Sequence, residues 1–407
     1  MAFSIGIAKK VAYKKETAGQ WGVAAASEPS GSAKYLRRVT SSFNLDKEAY
    51  ESAEIRTDYQ IADFRHGVRS ASGSLSAELS PGTYADFVAS AVAKAFAVGG
   101  TLSGITYSVT TQGAGYRLTK TVPATSFVGL FFVGDVIRIT AAGGDVANTG
   151  RNLLVTAVTA DTMDVIAVDR GTMVIESAIA SATFAVQGKK TMAPLTSHTD
   201  DSYTIEEFFS DIGQSEVYTG MKVGSASFAL PATGLVTCEF GFMGKDVTVG
   251  ESQYFTAPAD LSTTGIFASV NGVLLIKGVP VALLTGLNIN INRNMQSATV
   301  VGSNSIAELF EGRIAVDGDF SAYFEDGSLR DLFLDETEAS LVVTLSASNA
   351  KDADFVSFTL PRIKVNTNTK DDGEQGIVAQ HSFIALLPAS TVTATNRSTI
   401  VVQDSLA

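Results

Sequence analysis

Side chains capable of acid–base, nucleophilic or metal chemistry are scattered through this 407-residue chain. Carboxylates gather at Asp200-Asp201, Glu206-Glu207 and Asp371-Asp372-x-Glu374. Two carboxylates facing one cleft could cleave a glycosidic bond, one as acid and the other as base or nucleophile. Residues 371–376 (DDGEQG) have instead the turn chemistry of a solvated hairpin tip, between strands near 363–365 and 377–378. The histidines His66, His198 and His381 lack metal-ligand spacing. Cys238 stands alone, so neither a thiolate zinc site nor an intramolecular disulfide can form; a buried inert thiol is expected.

Nucleophile and phosphate motifs fail at the residues that make them work. There is no G-x-S-x-G elbow and no H-E-x-x-H pair. Gly188-Lys189-Lys190-Thr191 approximates the end of a phosphate loop, but Thr183 stands where the first glycine belongs and one lysine is extra. Asp317-Gly318-Asp319 lacks the spacing and terminal Glu of a calcium loop. The basic pairs Lys9-Lys10, Lys14-Lys15 and Arg37-Arg38 are too short for a nucleic-acid patch and belong in solvent or in ion pairs between subunits. The chain is therefore read as no enzyme, with no catalytic residue, no cofactor-binding residue, no metal ligand and no cofactor.

Composition narrows the alternatives. A content of 45% hydrophobic and 18% charged residues excludes a disordered tail protein, and a net charge of −12 argues against sequence-specific DNA binding. Lys94, Asp135 and Lys277 cut the apolar stretches short of the roughly 18 residues a membrane span requires, so no membrane association is expected. The opening MAFSIGIAKKVAYKK runs apolar then basic, the reverse of a secretory signal, which points to an unprocessed chain made in a cytoplasm.

The elements that carry these residues read mostly as β. Short alternating runs punctuated by Gly, Ser and Thr have the texture of sandwiches and barrels. Over 314–324, Ile314, Val316, Phe320, Ala322 and Phe324 share one face, against Asp317, Asp319, Ser321 and Tyr323 on the other. The spacing of Tyr84, Phe87, Val88, Ala91, Val92, Ala95 and Phe96 predicts a helix over about 81–98, with Thr83-x-x-Asp86 as a capping box.

A shift of 245 residues lays IADFRHG (61–67) on IAELFEG (306–312) and continues without a gap, with 8 identities over 61–88. Even the capping box recurs, as Ser328-x-x-Asp331. Later strands match at a shift near 140, where Tyr218-Thr219 and Lys222-Val223 fall on Phe358-Thr359 and Lys364-Val365 approximately. The difference, about 105 residues, measures an insertion in the first copy. The expected fold is thus mainly β, with two tandem sandwich or barrel domains, each flanked by an α-helix, plus an inserted small β-domain. The boundaries are 1–98 with 200–250 for the discontinuous first domain, 99–199 for the insert, 251–264 for a linker, 265–390 for the second domain and 391–407 for a C-terminal tail.

Glu54-Ile-Arg-Thr-Asp58, Gln60-Ile-Ala-Asp-Phe-Arg-His-Gly67 and Ser74-Leu-Ser-Ala-Glu-Leu-Ser-Pro-Gly-Thr-Tyr84 resemble the major tail tube proteins of long-tailed, siphovirus-like bacteriophages. The opening Glu16-Thr-Ala-Gly-Gln-Trp-Gly22 and the inserted Val133-Gly-Asp-Val-Ile-Arg138 are similar to that family as well. The resemblance implies a structural virion protein, located in the virion tail and assembled in the host cytoplasm. Stacked rings would form a hollow tube conducting double-stranded DNA at ejection, without sequence-specific binding. Its partners would be itself, other tail proteins at the tube ends and the tape measure protein. A ring of six tube-domain positions would take three two-copy chains, a homotrimeric pseudo-hexamer with the insert projecting outward. The alternatives are another decoration or capsid-associated protein, and a β-rich hydrolase.

Overall fold

Alternating apolar and polar residues, broken by glycine and serine turns, make nearly the whole chain extended. The computed structural model describes residues 3–28, 32–122, 125–281, 284–372, 374, 376–389 and 396–407. The chain opens with β1 (Lys9–Lys15), β2 (Lys34–Tyr35), β3 (Thr40–Glu51), β4 (Phe64–Glu78) and helix α1 (Ala85–Ala91). The short β5 (Ala97–Val98) leads into β6 (Thr101–Gln112), β7 (Gly115–Val122), β8 (Val136–Thr140), β9 (Leu153–Val158), β10 (Thr162–Ala167) and β11 (Glu176–Val186). Next come β12 (Lys189–Met192), β13 (Tyr203–Phe209), β14 (Gln214–Pro231), β15 (Thr237–Gly244) and β16 (Asp246–Gly250). The remainder holds β17 (Gly272–Ile276), β18 (Val279–Pro280), β19 (Leu284–Asn292), β20 (Gln296–Ala298), β21 (Glu308–Phe310), β22 (Ala315–Tyr323) and helix α2 (Ser328–Leu334). It closes with β23 (Ala339–Ser346), β24 (Phe355–Val365), β25 (Thr369–Lys370), β26 (Val378–Ala385) and β27 (Val401–Asp404).

Two sandwich units share one strand order. In the first, β2-β1-β13-β14-β16 form an outer sheet and β3-β4-β15-β14 an inner one. Strand β14 is 18 residues long, so its first half serves one sheet and its second half the other. In the second unit, β18-β17-β23-β24-β27 and β19-β22-β26-β24 repeat that pattern around β24. All these pairings are antiparallel.

The inner sheets are continuous. The second half of β14 pairs with β19 from Ser225 opposite Asn292 to Pro231 opposite Gly286. One apolar core runs beneath both units, joined where the rings of Phe228 and Phe358 lie 4.7 Å apart. Helix α1 contributes Phe87, fully buried among Tyr13, Tyr203, Phe240 and Phe242 at ring separations of 4.8 to 5.5 Å. Burying that ring is worth about 3 kcal/mol, enough to hold so short a helix on the sheets.

The helices are shorter than their apolar stripes predict. α1 ends at Ala91, because Ala93 turns left-handed and Ala97–Val98 are drawn into a ladder with β12. Neither capping box forms. The Thr83 hydroxyl bonds Ser80, and the Asp86 carboxylate accepts Tyr13 Oη (2.7 Å) and Lys34 Nζ (3.0 Å). In α2 the cap position is Gly327 and Asp331 pairs with Arg330.

Strands β6–β11 close a six-stranded barrel in the order β10-β7-β6-β11-β8-β9, around Tyr107, Leu118, Phe127, Phe131 and Phe184. The barrel leaves the first unit but rests on the second. Val136, Leu154 and Val168 pack against Val273, Leu275, Val342 and Phe355 of the second unit's outer sheet. Residues 251–264, expected as a loose linker, are anchored. Phe255 is buried against Ala12 and Ala33, and Glu206 accepts the backbone N–H groups of Tyr254 (2.6 Å) and Phe255 (3.0 Å). The expected tail likewise ends in a strand, β27, which pairs with both β12 and β24; residues 391–395 lie outside the described residues.

Candidate assembly edges and a polar sheet face

The residues singled out for chemistry do not converge. Glu206 is buried as a backbone acceptor, and Glu207 pairs with Lys9 at 2.8 Å. Asp371 accepts the Val378 N–H at the hairpin expected there, whose Gly373 and Gln375 lie outside the described residues. His66 rests on Phe64, His198 lies in a loop, and His381 is buried with its ring stacked on Phe320 at 5.0 Å. Burial holds His381 below the ordinary imidazole range and pushes the Cys238 thiol up, which keeps both uncharged. Among the described residues no cluster of three His, Cys, Asp or Glu could hold a metal, and no helix is long and apolar enough to cross a membrane.

One acidic pair does come together, unforeseen from sequence because its members are 111 positions apart: Asp200 and Glu311. Burial pushes Asp200 up, but hydrogen bonds with Lys222 and Glu311 outweigh it and carry its carboxyl below the usual range. Glu311 is raised, by burial and by its bond to Asp200. Opposed shifts of this kind can mark an acid and a base. Here each acid also meets a cation, Lys222 on Asp200 at 2.7 Å and Arg293 on Glu311, and Arg293 continues to the Ser90 carbonyl. The cluster clamps the second unit to the first.

The surface with one consistent chemistry is the inner sheet's outward face. Alternation sends Phe43, Leu75, Phe240, Phe228, Ile289 and Phe320 into the core. The intervening residues, fixed by the register, are mostly serine, threonine, asparagine, glycine and acids; Ala229, Gln380 and Ile384 share the face, and β24 brings Lys364 to its far side, opposite Ile384. Ser42 lies on Ser74 (3.2 Å), Ser72 on Asp46 (2.7 Å), Asn288 on Asp319 (2.9 Å) and Asn290 on Asp317 (3.1 Å). Glu78 and Glu239 extend the acidic row. Segments 40–46, 70–78, 225–231, 237–243, 286–292, 315–321 and 378–384 contain no Lys or Arg. Sequence alternation predicts such a face strand by strand, but only the register collects it into one surface.

That sheet ends in two open edges. At one end β3 pairs only with β4; at the other, β25 pairs only with β26. The two ends correspond to the two strands already joined in mid-sheet, since the 245 shift lays β3 on β19 and the 140 shift lays β14 on β24 and β25.

The profile described as Phage tail tube protein matches residues 6–385. The chain belongs to this family. Membership makes it a structural protein of the phage tail. The resemblance carried by residues 13–98 therefore extends across both sandwich units and the barrel. No curated protein matches the chain.

Proposed function

We propose that three copies of the chain close a ring in which β25 and its flanking residues of one copy pair with β3 of the next, and that such rings stack into the DNA-conducting tube. The observation that carries this is the β14·β19 joint, a finished example, within one chain, of the contact its open ends require. Transferring that register pairs residues 367–372 with 42–47 of the neighbour. Eight inner strands per chain then give a closed wall of 24 strands. Closure removes both open edges of the inner sheet, the state toward which open sheets are driven.

The polar face turns inward in this arrangement. Carboxylates and short neutral side chains repel or ignore phosphate, so a duplex slides without the counterion release that makes basic surfaces adhesive. The barrel rests on the outer sheet and projects from the tube at three places per ring. Other tail proteins, among them the tape measure protein, would meet the tube at its ends and in its lumen, with assembly in the host cytoplasm.

Electron microscopy of purified tubes, with symmetry read from end-on views, tests the reading. Three peripheral knobs on a pseudo-sixfold ring are expected. Six full chains per ring would overturn it.

A further inference from the structure

The two inner hairpins end in related loops that meet different fates. In the second unit the loop after β20 folds back onto the first unit. The Arg69 N–H donates to the Asn304 carbonyl (3.0 Å) and the Ile306 N–H donates to the Arg69 carbonyl (3.3 Å), a one-rung parallel bridge centred on Arg69 and Ser305. Ile306 is thereby left 3% exposed and Leu309 2%. Glu308 completes the contact 3.6 Å from Lys222, which also holds Asp200.

The same motif in the first unit has nothing to rest on within the chain. Ile61, the counterpart of Ile306, is 68% exposed, and Phe64, the counterpart of Leu309, is 46% exposed. Ile55 and Tyr59 on the same loop are also exposed, and Asp63, the counterpart of Glu308, meets the exposed Arg65 and the Phe64 N–H beside it. The receiving surface exists a second time. The 245 shift takes Arg69 to Ile314, just before β22, and the strand pairings place Lys364 where Lys222 stands, with Glu336 3.7 Å from it as Asp200 lies beside Lys222.

We infer that the loop of residues 52–63 is a docking arm for a second copy of this chain, seated on the second unit of the neighbour in the ring. Gln60 bridges to Ile314 of the neighbouring copy, Ile61 and Phe64 are buried there, and Asp63 meets Lys364 of the neighbouring copy, as Glu308 meets Lys222. Charge complements charge at this contact, acid against ammonium. The inference rests on the proposed ring, but it assigns a contact that ring closure through β3 does not itself require.

Tails assembled with Gln60→Cys and Ile314→Cys test it, because the native Cys238 is buried and a strand bridge brings Cα atoms within disulfide reach. Mild oxidation is expected to give covalent dimers and then trimers as the limiting species, while either single cysteine gives monomers. Threefold tails in which the paired cysteines stay monomeric would overturn the docking arm and leave the ring intact. Sixfold rings of full chains would instead overturn the ring reading. Should the cysteine pair block assembly, a charge exchange decides. Asp63→Lys and Lys364→Asp are each expected to reduce assembly about tenfold, and the double variant to restore it. Failure of the double variant to recover would reject the contact. Ile61→Asp is expected to cut assembly by about tenfold or more with the melting of the isolated subunit unchanged.

Discussion

Replacing Gly73 by alanine probes the close approach of β3 and β4 at the open edge of the inner sheet. A Cβ at Gly73 would sit under 3.0 Å from the Ser42 carbonyl oxygen and the Phe43 ring, and one at Gly318, its counterpart, would do the same to the Asn288 carbonyl oxygen and the Phe383 ring. Neither glycine has positive φ, so the obstacle is space alone. A methyl group must push the neighbouring strand away, at an overpacking cost of about 1–3 kcal/mol. Two weakened ladder bonds add roughly 1 kcal/mol each, for a total near 3–5 kcal/mol. Gly224 is the control, because its nearest atom would lie 3.8 Å from the new Cβ. There alanine fits and gains about 0.4–1 kcal/mol through the unfolded chain. Calorimetry of unassembled subunits should show Gly73→Ala and Gly318→Ala lowering the main transition by about 4–6 °C, with Gly224→Ala unchanged or slightly higher. Gly73→Ala should also slow assembly, since β3 carries the open edge, whereas Gly318→Ala acts in mid-sheet. If Gly73→Ala and Gly224→Ala melt together within about 1 °C, the packing argument is refuted.

Other expectations follow from single sites. His381 occupies the position of Phe240 in the first unit, with both ring nitrogens lacking a hydrogen-bond partner, so His381→Phe should stabilise by about 1–3 kcal/mol in chemical denaturation. Because the folded imidazole pKa lies below 6.5, its unfolded form binds more protons, and the wild type should lose this component as pH falls below about 6.5. Asp404, raised to about 6 by burial, acts oppositely, losing its contribution as pH rises through that value, so the difference between variant and wild type isolates the histidine. Glu206→Ala should free residues 254–255, seen as faster amide exchange at Tyr254 and Phe255, while Glu206→Gln preserves much of the protection. Asp317→Lys with Asp319→Lys should leave tubes intact yet slow DNA release from phage particles, with the delay shrinking as salt rises; salt-independent release kinetics would argue against an acidic lumen.

Much of the fold is written in local pattern. The alternation over 314–324 reads directly as β22, and Tyr203–Phe209 and Ala339–Ser346 are legible as strands from their β-branched and aromatic runs. The motif around 61–67 carries the family resemblance because it combines a specific hairpin tip with the start of a long strand. What could not be read is register. Ser42, Ser74 and Glu239 look like ordinary polar strand positions, and only cross-strand pairing makes them one face. Tertiary demand also overrode propensity at residues 92–98, where an apolar stripe fit for a helix was spent on a turn and a short ladder with β12. The barrel's seat on the second unit has no sequence signature, because Val136, Leu154 and Val168 read like any other buried strand residues.

The position of β27 bears on how the chain is made. Strand β12 ends at Met192 and its partner begins at Val401, 209 residues later. At a synthesis rate of about 5–20 residues per second, β12 waits roughly 10–40 s for that partner on the ribosome. The same strand completes β24, so the second unit is unfinished until the last residues emerge. A nascent chain therefore cannot finish its second unit before β27 is made, and a product stopped short of β27 lacks the strand that locks β12 and β24 together.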